Sequence, residues 1–170
     1  VFDTGEQFAD LGEREPDYNW EVADEQRHSP YVAFVPIIEG CNKFCTYCIV
    51  PFSRGSEVSL PVSEIIRQVL ELRRQGVREV HLIGQNVNSY GKDLEAAVDF
   101  ADLLSELDRI PGIERIRYMT SHPRDFTQKL IDVVAASNKV CEHFHLPVQA
   151  GSDRILAAMN RKHTRKEYMT

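Results

Sequence analysis

The sequence predicts an α/β fold in which about four strand-then-helix units form a parallel sheet with outer helices. Apolar runs of strand length alternate along residues 31–170 with segments whose apolar residues recur at helical spacing. Each predicted strand is followed by a polar segment rich in turn residues, as expected where parallel strands end on one rim. With 170 residues and 42% apolar content, the chain can bury one sizeable core, which we assign to a single domain over residues 31–170.

Residues 1–30 differ from the rest of the chain in charge and pattern. They carry nine acidic residues against two Lys or Arg, a net charge of −7, whereas residues 31–170 carry 17 acidic and 18 basic residues, a net charge of +1. They show no sustained periodicity and contain glycines and prolines. We therefore expect an acidic linker that leads into the core domain.

The first two strands are predicted at residues 31–38 and 79–84. The first is a nearly continuous apolar run, which is typical of a strand buried on both faces. Pro36 has no amide hydrogen, so the strand is expected to have an irregular end or an unpaired side there. Between the strands, Pro61 and Gly76 bound a predicted helix. Its apolar residues recur at helical spacing: Val62, Ile65, Ile66, Val69 and Leu72.

The middle of the chain predicts a helix at residues 99–109, a strand at residues 115–120 and a second helix at residues 125–137. The first of these helices ends at a Pro-Gly pair. We expect the carboxylate of Asp125 to cap the second helix, with Gln128 completing a capping-box-like pair.

The last part of the chain predicts a fourth strand at residues 141–148. Ser152 or Asp153 is then expected to cap a further helix. Residues 161–168 predict a turn into another helix that the chain does not complete.

Four polar segments follow the four predicted strands. Because the carboxyl ends of parallel strands share one edge, we expect all four segments to surround one pocket. They are residues 41–48, 84–88, 121–124 and 147–152.

Three of the four cysteines lie in the first of these segments. Cys41, Cys45 and Cys48 have the spacing C-x3-C-x2-C, and closely spaced thiolates of this kind hold iron-sulfur clusters. Three ligands on a four-iron cube would leave one iron open to a substrate or cofactor. The sequence therefore predicts a [4Fe-4S] site with an open corner.

Other interpretations of the cysteines remain open at this point. A disulfide fits poorly because it leaves one thiol of three unpaired. Zinc prefers four protein ligands, so it would need His28, His81 or Cys141 brought in from elsewhere in the chain. Three unligated thiols are the remaining alternative.

The sequence also bears on the cellular setting. No apolar run approaches the roughly 20 residues that a membrane-spanning helix needs, so we expect no membrane partner. The chain starts at Val1 without a signal-peptide pattern, which favours a fragment cut from a longer protein. A thiol-rich loop favours a reducing compartment, and we expect the cytoplasm, with an organelle matrix as the alternative.

The cysteine motif after a short apolar strand closely resembles the radical S-adenosylmethionine superfamily. The resemblance implies a partial (β/α)6 radical-SAM, TIM-like barrel whose last two strands are missing, so that residues 31–170 would be a C-terminally truncated core domain. It also implies that S-adenosylmethionine chelates the open iron and is cleaved reductively to a 5′-deoxyadenosyl radical.

The resemblance suggests two groups of cofactor contacts. Tyr47 is expected to cover the cluster and the adenine, with an ordinary core aromatic as the alternative. Gly84, Gln85 and Asn86 stand where these enzymes place a glycine-rich segment that contacts the methionine amino group. The alternative for these three is a strand-end turn stabilised by its own side chains.

Further candidates lie on the later segments. Ser121 and Gln149 are expected to contact S-adenosylmethionine, and Ser152 either does so or simply caps a helix. Arg54 is a candidate anchor for a substrate phosphate or a cofactor carboxylate. His122 is a possible acid or base, although a histidine before proline is more often a hydrogen-bonded structural residue.

Longer strings narrow the resemblance to the radical methylthiotransferases. They are residues 40–51, 82–90, 116–123 and 145–154. The second and third resemble the tRNA-2-methylthio-N6-dimethylallyladenosine synthase branch. This branch is implied to replace C2–H of N6-isopentenyladenosine, next to the anticodon, with a methylthio group.

The family's pattern implies further components. A second [4Fe-4S] cluster would be held by a separate N-terminal domain that this sequence does not contain. The expected partners are a tRNA substrate and an electron donor such as flavodoxin or ferredoxin. Alternative substrates are a ribosomal-protein aspartate or threonylcarbamoyladenosine in tRNA, and a non-catalytic iron-sulfur or zinc module is the alternative of another class.

Overall fold

The computed structural model describes Arg27 and residues 29–170. The predicted acidic linker therefore lies outside the described residues, apart from Arg27, Ser29 and Pro30. The described chain forms a four-stranded sheet in the order β2-β1-β3-β4, with the helices outside it. The strands are β1 (Val32–Glu39), β2 (Val58–Ser59), β3 (Glu79–Gly84) and β4 (Arg115–Tyr118).

The central strands confirm the predicted α/β half-barrel. Strand β3 pairs in parallel with both β1 and β4. The helices are α1 (Val50–Ser53), α2 (Val62–Arg74), α3 (Phe100–Asp108), α4 (Gln128–Ala136), α5 (Asp153–Ala158) and α6 (Arg165–Met169). No helix among the described residues is long and apolar enough to cross a membrane.

The core lies between the sheet and helices α2, α3 and α4. Alternate residues of β1, namely Ala33, Val35 and Ile37, are buried on the face toward the helices. Helix α2 buries Ile65 and Val69 completely. Helix α3 buries four large apolar residues: Phe100, Leu103, Leu104 and Leu107.

Strand β1 contains the predicted irregularity. Its pairing register with β3 shifts between Pro36 and Ile38, so that Ile38 lies opposite Gly84. A Cβ atom on Gly84 would lie 2.5 Å from Ile38 Cγ2 and 2.6 Å from the Ile38 carbonyl oxygen. The sheet itself therefore requires glycine at position 84, independently of any ligand.

Strand β2 was not predicted, and it makes the sheet mixed. It pairs antiparallel with the end of β1, through Ile38 with Ser59 and Glu39 with Val58. Ser59 extends the contact, since its amide donates to Asp93 at 2.7 Å and its hydroxyl accepts from the Gly91 amide at 3.0 Å. A strand of two residues is too short to leave a periodic pattern in the sequence.

The predicted fourth parallel strand at residues 141–148 is wrong. Only an isolated bridge joins Val140 to Ile116, although the Ser121 amide still donates to the His145 carbonyl at 3.1 Å. Thr120, the second residue after β4, has φ 66, so its backbone leaves the extended conformation that a continued ladder would need. The two histidines of this segment, His143 and His145, are exposed.

The predicted start of α4 at Asp125 is also wrong. Residues 123–125 form a 3-10 turn, and α4 begins at Gln128. Thr127 is the N-cap, because its hydroxyl accepts from the Leu130 amide at 3.2 Å. The Asp125 carboxylate instead pairs with Lys43 and Lys92 beside the cysteine loop.

Candidate metal and cofactor site

The cysteine loop, residues 41–48, follows β1 through a tight turn. Gly40 has φ +71, and a Cβ there would lie 1.9 Å from the Ser56 carbonyl oxygen, so only glycine fits. The Cys41 amide donates to the Gly55 carbonyl at 3.2 Å, and the Cys48 amide donates to the Cys45 carbonyl at 2.9 Å. These contacts fix one side of the loop against residues 55–56.

The end of α5 holds the other side of the cysteine loop. The Thr46 amide donates to the Met159 carbonyl at 3.2 Å, and its hydroxyl donates to the Ala158 carbonyl at 3.1 Å. The Asn160 side-chain amide donates to the Phe44 carbonyl at 2.8 Å, across 116 residues of sequence. The cysteine loop is therefore anchored to the C-terminal end of α5.

The three motif cysteines are free thiols on this loop. Cys41 and Cys45 are buried, whereas Cys48 is half-buried. Burial raises the pKa of the Cys41 thiol above its ordinary value. Three soft sulfur donors carried within eight residues, two of them buried, suit an iron-sulfur cluster.

Zinc finds less support among the described residues. No set of three or more His, Cys, Asp or Glu side chains in that part of the chain converges tightly enough to hold a single metal ion. His28, one of the proposed additional ligands, lies outside the described residues. A cube does not need such convergence, because each thiolate ligates a different iron at a different corner.

A buried charge network connects the cysteine loop to the later rim segments. Lys43, between the first two cysteines, lies 2.6 Å from the Asp125 carboxylate and 3.9 Å from that of Glu57. Lys92 also pairs with Asp125, and the Asn86 side chain donates to it at 3.0 Å. Burial alone would raise the pKa of Asp125, but the hydrogen bonds from Lys43, Lys92 and Asn86 lower it below its usual range.

The segments after β3 and β4 are tied together by reciprocal hydrogen bonds. The Asn88 side-chain amide donates to the His122 carbonyl, and the His122 amide donates to Asn88 Oδ1, both at 2.9 Å. The Thr120 hydroxyl donates to the Gly84 carbonyl at 2.7 Å. These contacts also hold Thr120 in its left-handed conformation.

The surroundings of His122 favour the structural interpretation of this residue over an acid or base. Its Nδ1 accepts from the Arg124 amide at 3.1 Å, and its ring packs edge-on against His163 with centroids 5.7 Å apart. Burial, assisted by the positive charge of Arg161, lowers the pKa of His122 to about 4. The imidazole is therefore neutral at pH 7, and one of its nitrogens is already occupied.

Several predicted cofactor residues carry buried polar atoms that lack a hydrogen-bond partner. They are Gln85 Oε1, Asn86 Oδ1 and Ser121 Oγ. Such atoms are uncommon in folded proteins and call for a partner such as a bound ligand. Their position on the rim beside the cysteine loop fits a polar cofactor, so the donor set and its surroundings are compatible with a cluster and a bound cofactor.

The other predicted site residues lie on the outside of this cluster of side chains. Tyr47 is half-exposed on the cysteine loop, at 52%. Arg54 is exposed at the end of α1, and Gln149 is exposed with φ 70. Ser152 occupies the N-cap position of α5 but makes no capping hydrogen bond, so its hydroxyl does not serve the helix.

Sequence reasoning missed four charged residues at the site: Lys43, Glu57, Asp125 and Arg161. The guanidinium of Arg161 contacts the Cys45 sulfur, with Nη1 at 3.4 Å. The sequence contains one signal for Arg161, namely the preceding Asn160. Asparagine after a helix often adopts a left-handed conformation that turns the chain back. The sequence near Lys43 and near Asp125 contains no pattern that indicates their pairing.

A cleft of about 610 Å3 opens beside the charge network, between residues 91–99 and the start of α4. Asn88, Lys92 and Asp125 line it on the network side, and the exposed Arg124 lies at its edge. Its size is typical of a small-molecule site.

Comparison with known proteins matches residues 35–170 to the model of the radical SAM superfamily. Three curated relatives carry the name tRNA-2-methylthio-N(6)-dimethylallyladenosine synthase. The relative from Dictyoglomus thermophilum is 62% identical over 84% of this chain and 32% of its own length. Those from Alkaliphilus oremlandii and Pelotomaculum thermopropionicum are 59% and 57% identical over 81% and 91% of this chain. The chain spans only 29% and 35% of their lengths.

Two solved structures share the fold. The radical S-adenosylmethionine methyltransferase TsrM from Kitasatospora setae, solved with cobalamin and a [4Fe-4S] cluster, has a TM-score of 0.62 at 17% identity. The match covers 80% of this chain and 27% of the TsrM chain. The cobalamin-dependent S-adenosylmethionine radical enzyme OxsB, solved with aqua-cobalamin and S-adenosylmethionine, has a TM-score of 0.64 at 14% identity. The match covers 80% of this chain and 21% of the OxsB chain.

Proposed function

The chain belongs to the radical SAM superfamily, and from this premise we propose that it is the cluster-bearing part of a tRNA methylthiotransferase. The reaction proposed is replacement of C2–H of N6-isopentenyladenosine, beside the anticodon, by a methylthio group. The identities of 57% to 62% with relatives named for this modification support the assignment. Because the chain spans about a third of those relatives, the activity is proposed for the full-length protein.

One structural observation carries the proposal. Lys43 of the cysteine loop is linked through Asp125 to Asn86, and the buried atoms Gln85 Oε1, Asn86 Oδ1 and Ser121 Oγ have no hydrogen-bond partner. A site that only bound a structural metal would not need unpaired polar groups around it. A polar cofactor next to the metal accounts for both features.

The cysteines and the polar rim residues have different proposed roles. Cys41, Cys45 and Cys48 would hold three irons of a [4Fe-4S] cluster, leaving the fourth iron for S-adenosylmethionine. When bound, the cluster supplies the electron for reductive cleavage of that cofactor. Gln85, Asn86 and Ser121 would orient the cofactor through hydrogen bonds.

The remaining assigned residues extend this site. Gly84 lets the ends of β1 and β3 lie close together, and Tyr47 is assigned to cover the cluster. Gln149 and Ser152 are assigned to contact the cofactor from the α5 side. Arg54 is assigned to an anionic group of substrate or cofactor.

The reaction needs partners beyond this chain. The substrate is a tRNA, and the exposed Arg124 beside the cleft is suited to a phosphate group. An electron donor such as flavodoxin or ferredoxin would supply the electron to the bound cluster. A second [4Fe-4S] cluster belongs to a separate N-terminal domain of the full-length protein, and the setting is the cytoplasm or an organelle matrix.

The proposed substrate is tested with three tRNA preparations. The full-length protein is reconstituted anaerobically and incubated with S-adenosylmethionine, dithionite and tRNA that carries N6-isopentenyladenosine, unmodified adenosine or threonylcarbamoyladenosine. Mass spectrometry of the digested tRNA should show methylthio addition only to isopentenyladenosine. Methylthiolation of threonylcarbamoyladenosine, or of a ribosomal-protein aspartate in a parallel assay, would overturn the substrate assignment.

A further inference from the structure

Arg161 is a buried cation that touches a cluster ligand. Only 5% of the residue is exposed. Its Nη1 lies 3.4 Å from Cys45 Sγ, and its Nη2 donates to the Pro147 carbonyl at 3.3 Å. Its Nε is buried without a hydrogen-bond partner.

The backbone on both sides of Arg161 is held in an unusual conformation. Asn160 has φ 56 and Lys162 has φ 60, although neither is glycine. The Arg161 amide donates to the Leu156 carbonyl at 3.0 Å, and the Asn160 side chain is bonded to the cysteine loop. Residues in this left-handed region persist only where their surroundings require it, so the direction of Arg161 is fixed by the fold.

No carboxylate of the described residues balances the charge of Arg161. Among the ion pairs of the described residues, none includes Arg161, whereas the nearby Lys43 has two acidic partners. A buried guanidinium is always charged and needs a counter-charge. The sulfur of Cys45, which Arg161 already contacts, would supply one once it is a thiolate bound to iron.

We propose that Arg161 is a positioning residue that donates a hydrogen bond to the Cys45 thiolate of the bound cluster and thereby raises the cluster's reduction potential. The proposal rests on the proposed function, because it presupposes a cluster on Cys45. One-electron reduction adds negative charge to the cluster, and both hydrogen bonds to its sulfurs and nearby positive charge favour that reduced form. Without Arg161, the cluster would accept an electron less readily.

The test is a potentiometric titration followed by electron paramagnetic resonance. The full chain is reconstituted anaerobically as wild type, Arg161→Gln and Arg154→Gln. Arg154 is the matched control, because it is exposed on α5 and the substitution removes the same charge without touching the cysteine loop. Iron and acid-labile sulfide are measured for each protein, so that potentials are compared at equal cluster content.

At the wild-type midpoint potential, half of the wild-type clusters are reduced. At that potential the ratio of oxidised to reduced cluster in Arg161→Gln should be about tenfold higher than in wild type. That shift corresponds to a midpoint about 59 mV lower for a one-electron couple. Arg154→Gln should remain within twofold of wild type. Equal potentials for Arg161→Gln and wild type would overturn the proposal.

A conservative variant covers failure of the glutamine variant to fold or to take up a cluster. Arg161→Lys keeps the charge but cannot reach both Cys45 and the Pro147 carbonyl with one ammonium group. Its midpoint should be lower than that of wild type, and an unchanged midpoint would overturn the proposal. A wild-type chain that binds no cluster would refute the proposed function as well, whereas a normal cluster that is indifferent to position 161 refutes only this inference.

Discussion

At the scale of single residues, His122 shows how burial decides a role that the sequence left open. The residue follows Ser121 on the rim, where an acid or base would be well placed. Its surroundings instead keep the imidazole neutral and bonded within its own turn. A side chain whose Nδ1 is occupied and whose protonation is opposed by burial is poorly suited to exchange protons near neutral pH.

His122 predicts a measurable acid sensitivity. Its folded-state pKa of about 4 lies below the ordinary 6.5, so the unfolded chain binds a proton more readily as the pH falls through this window. The free energy of unfolding should therefore decrease from pH 6.5 toward pH 4. In His122→Asn, whose amide oxygen can still accept from the Arg124 amide, urea denaturation at several pH values should give a shallower decrease.

The exposed His143 provides the control for this experiment. His143→Asn should follow the wild-type pH dependence, because its imidazole is in solvent in the folded chain. An unchanged slope in His122→Asn would show that the imidazole titrates alike in the folded and unfolded states, and burial would then not be what holds it neutral.

Lys43 carries a second prediction at the residue scale. Lys43→Met leaves Asp125 and Glu57 buried with one cation fewer, and unbalanced buried charge is costly. We expect a loss of about 3 kcal/mol in the free energy of unfolding, measured by urea denaturation of the full chain. Lys129→Met is the control, because Lys129 pairs with Asp99 and Asp102 at the surface and should cost less than about 1 kcal/mol. Equal losses in the two variants would contradict a special role for the buried network.

At the scale of elements, the junction of β1 and β3 positions the rim. The bulge between Pro36 and Ile38 brings Ile38 against Gly84. Directly after this contact, β1 enters the cysteine loop and β3 enters the segment with Gln85 and Asn86. The packing of two strand ends thus determines how far the predicted cluster lies from the predicted cofactor contacts.

Gly84→Ala tests this junction. A Cβ atom there would overlap Ile38, so we expect a loss of about 1–3 kcal/mol in the free energy of unfolding. Gly151→Ala is the matched control, since nothing lies within 4 Å of a Cβ at that position and the smaller entropy of the unfolded chain should leave stability equal or slightly higher. Urea denaturation of both variants decides the question. A Gly84→Ala protein as stable as wild type would mean that the strand ends are not in close contact.

The elements also show what the sequence can predict. Strand β3 and helix α2 match their predicted bounds within about two residues, because a sustained apolar pattern reflects burial directly. The two-residue β2 has no such pattern. The fourth strand had a strand-like sequence, but Thr120 turns the preceding segment away before a ladder can form.

At the scale of the whole molecule, the sheet brings distant segments to one edge. The cysteine motif and the parallel strands β1, β3 and β4 could be predicted, because they depend on local spacing and on sustained apolar patterns. The partners of Lys43, Asp125 and Arg161 could not, because each pair joins segments far apart in sequence. Polar residues of this kind look the same in a sequence whether they face solvent or a buried partner.

The cysteine trio is central to the whole molecule, because it is proposed to hold a cluster that activates S-adenosylmethionine. The most direct measurement is of iron, acid-labile sulfide and 5′-deoxyadenosine in the anaerobically reconstituted full-length protein with dithionite and S-adenosylmethionine. Wild type and Cys141→Ala, which changes the one cysteine of this sequence that lies outside the motif, should contain the cluster and form 5′-deoxyadenosine, whereas Cys45→Ala should form none. Zinc without labile sulfide in the wild type, or unchanged turnover in Cys45→Ala, would contradict this role.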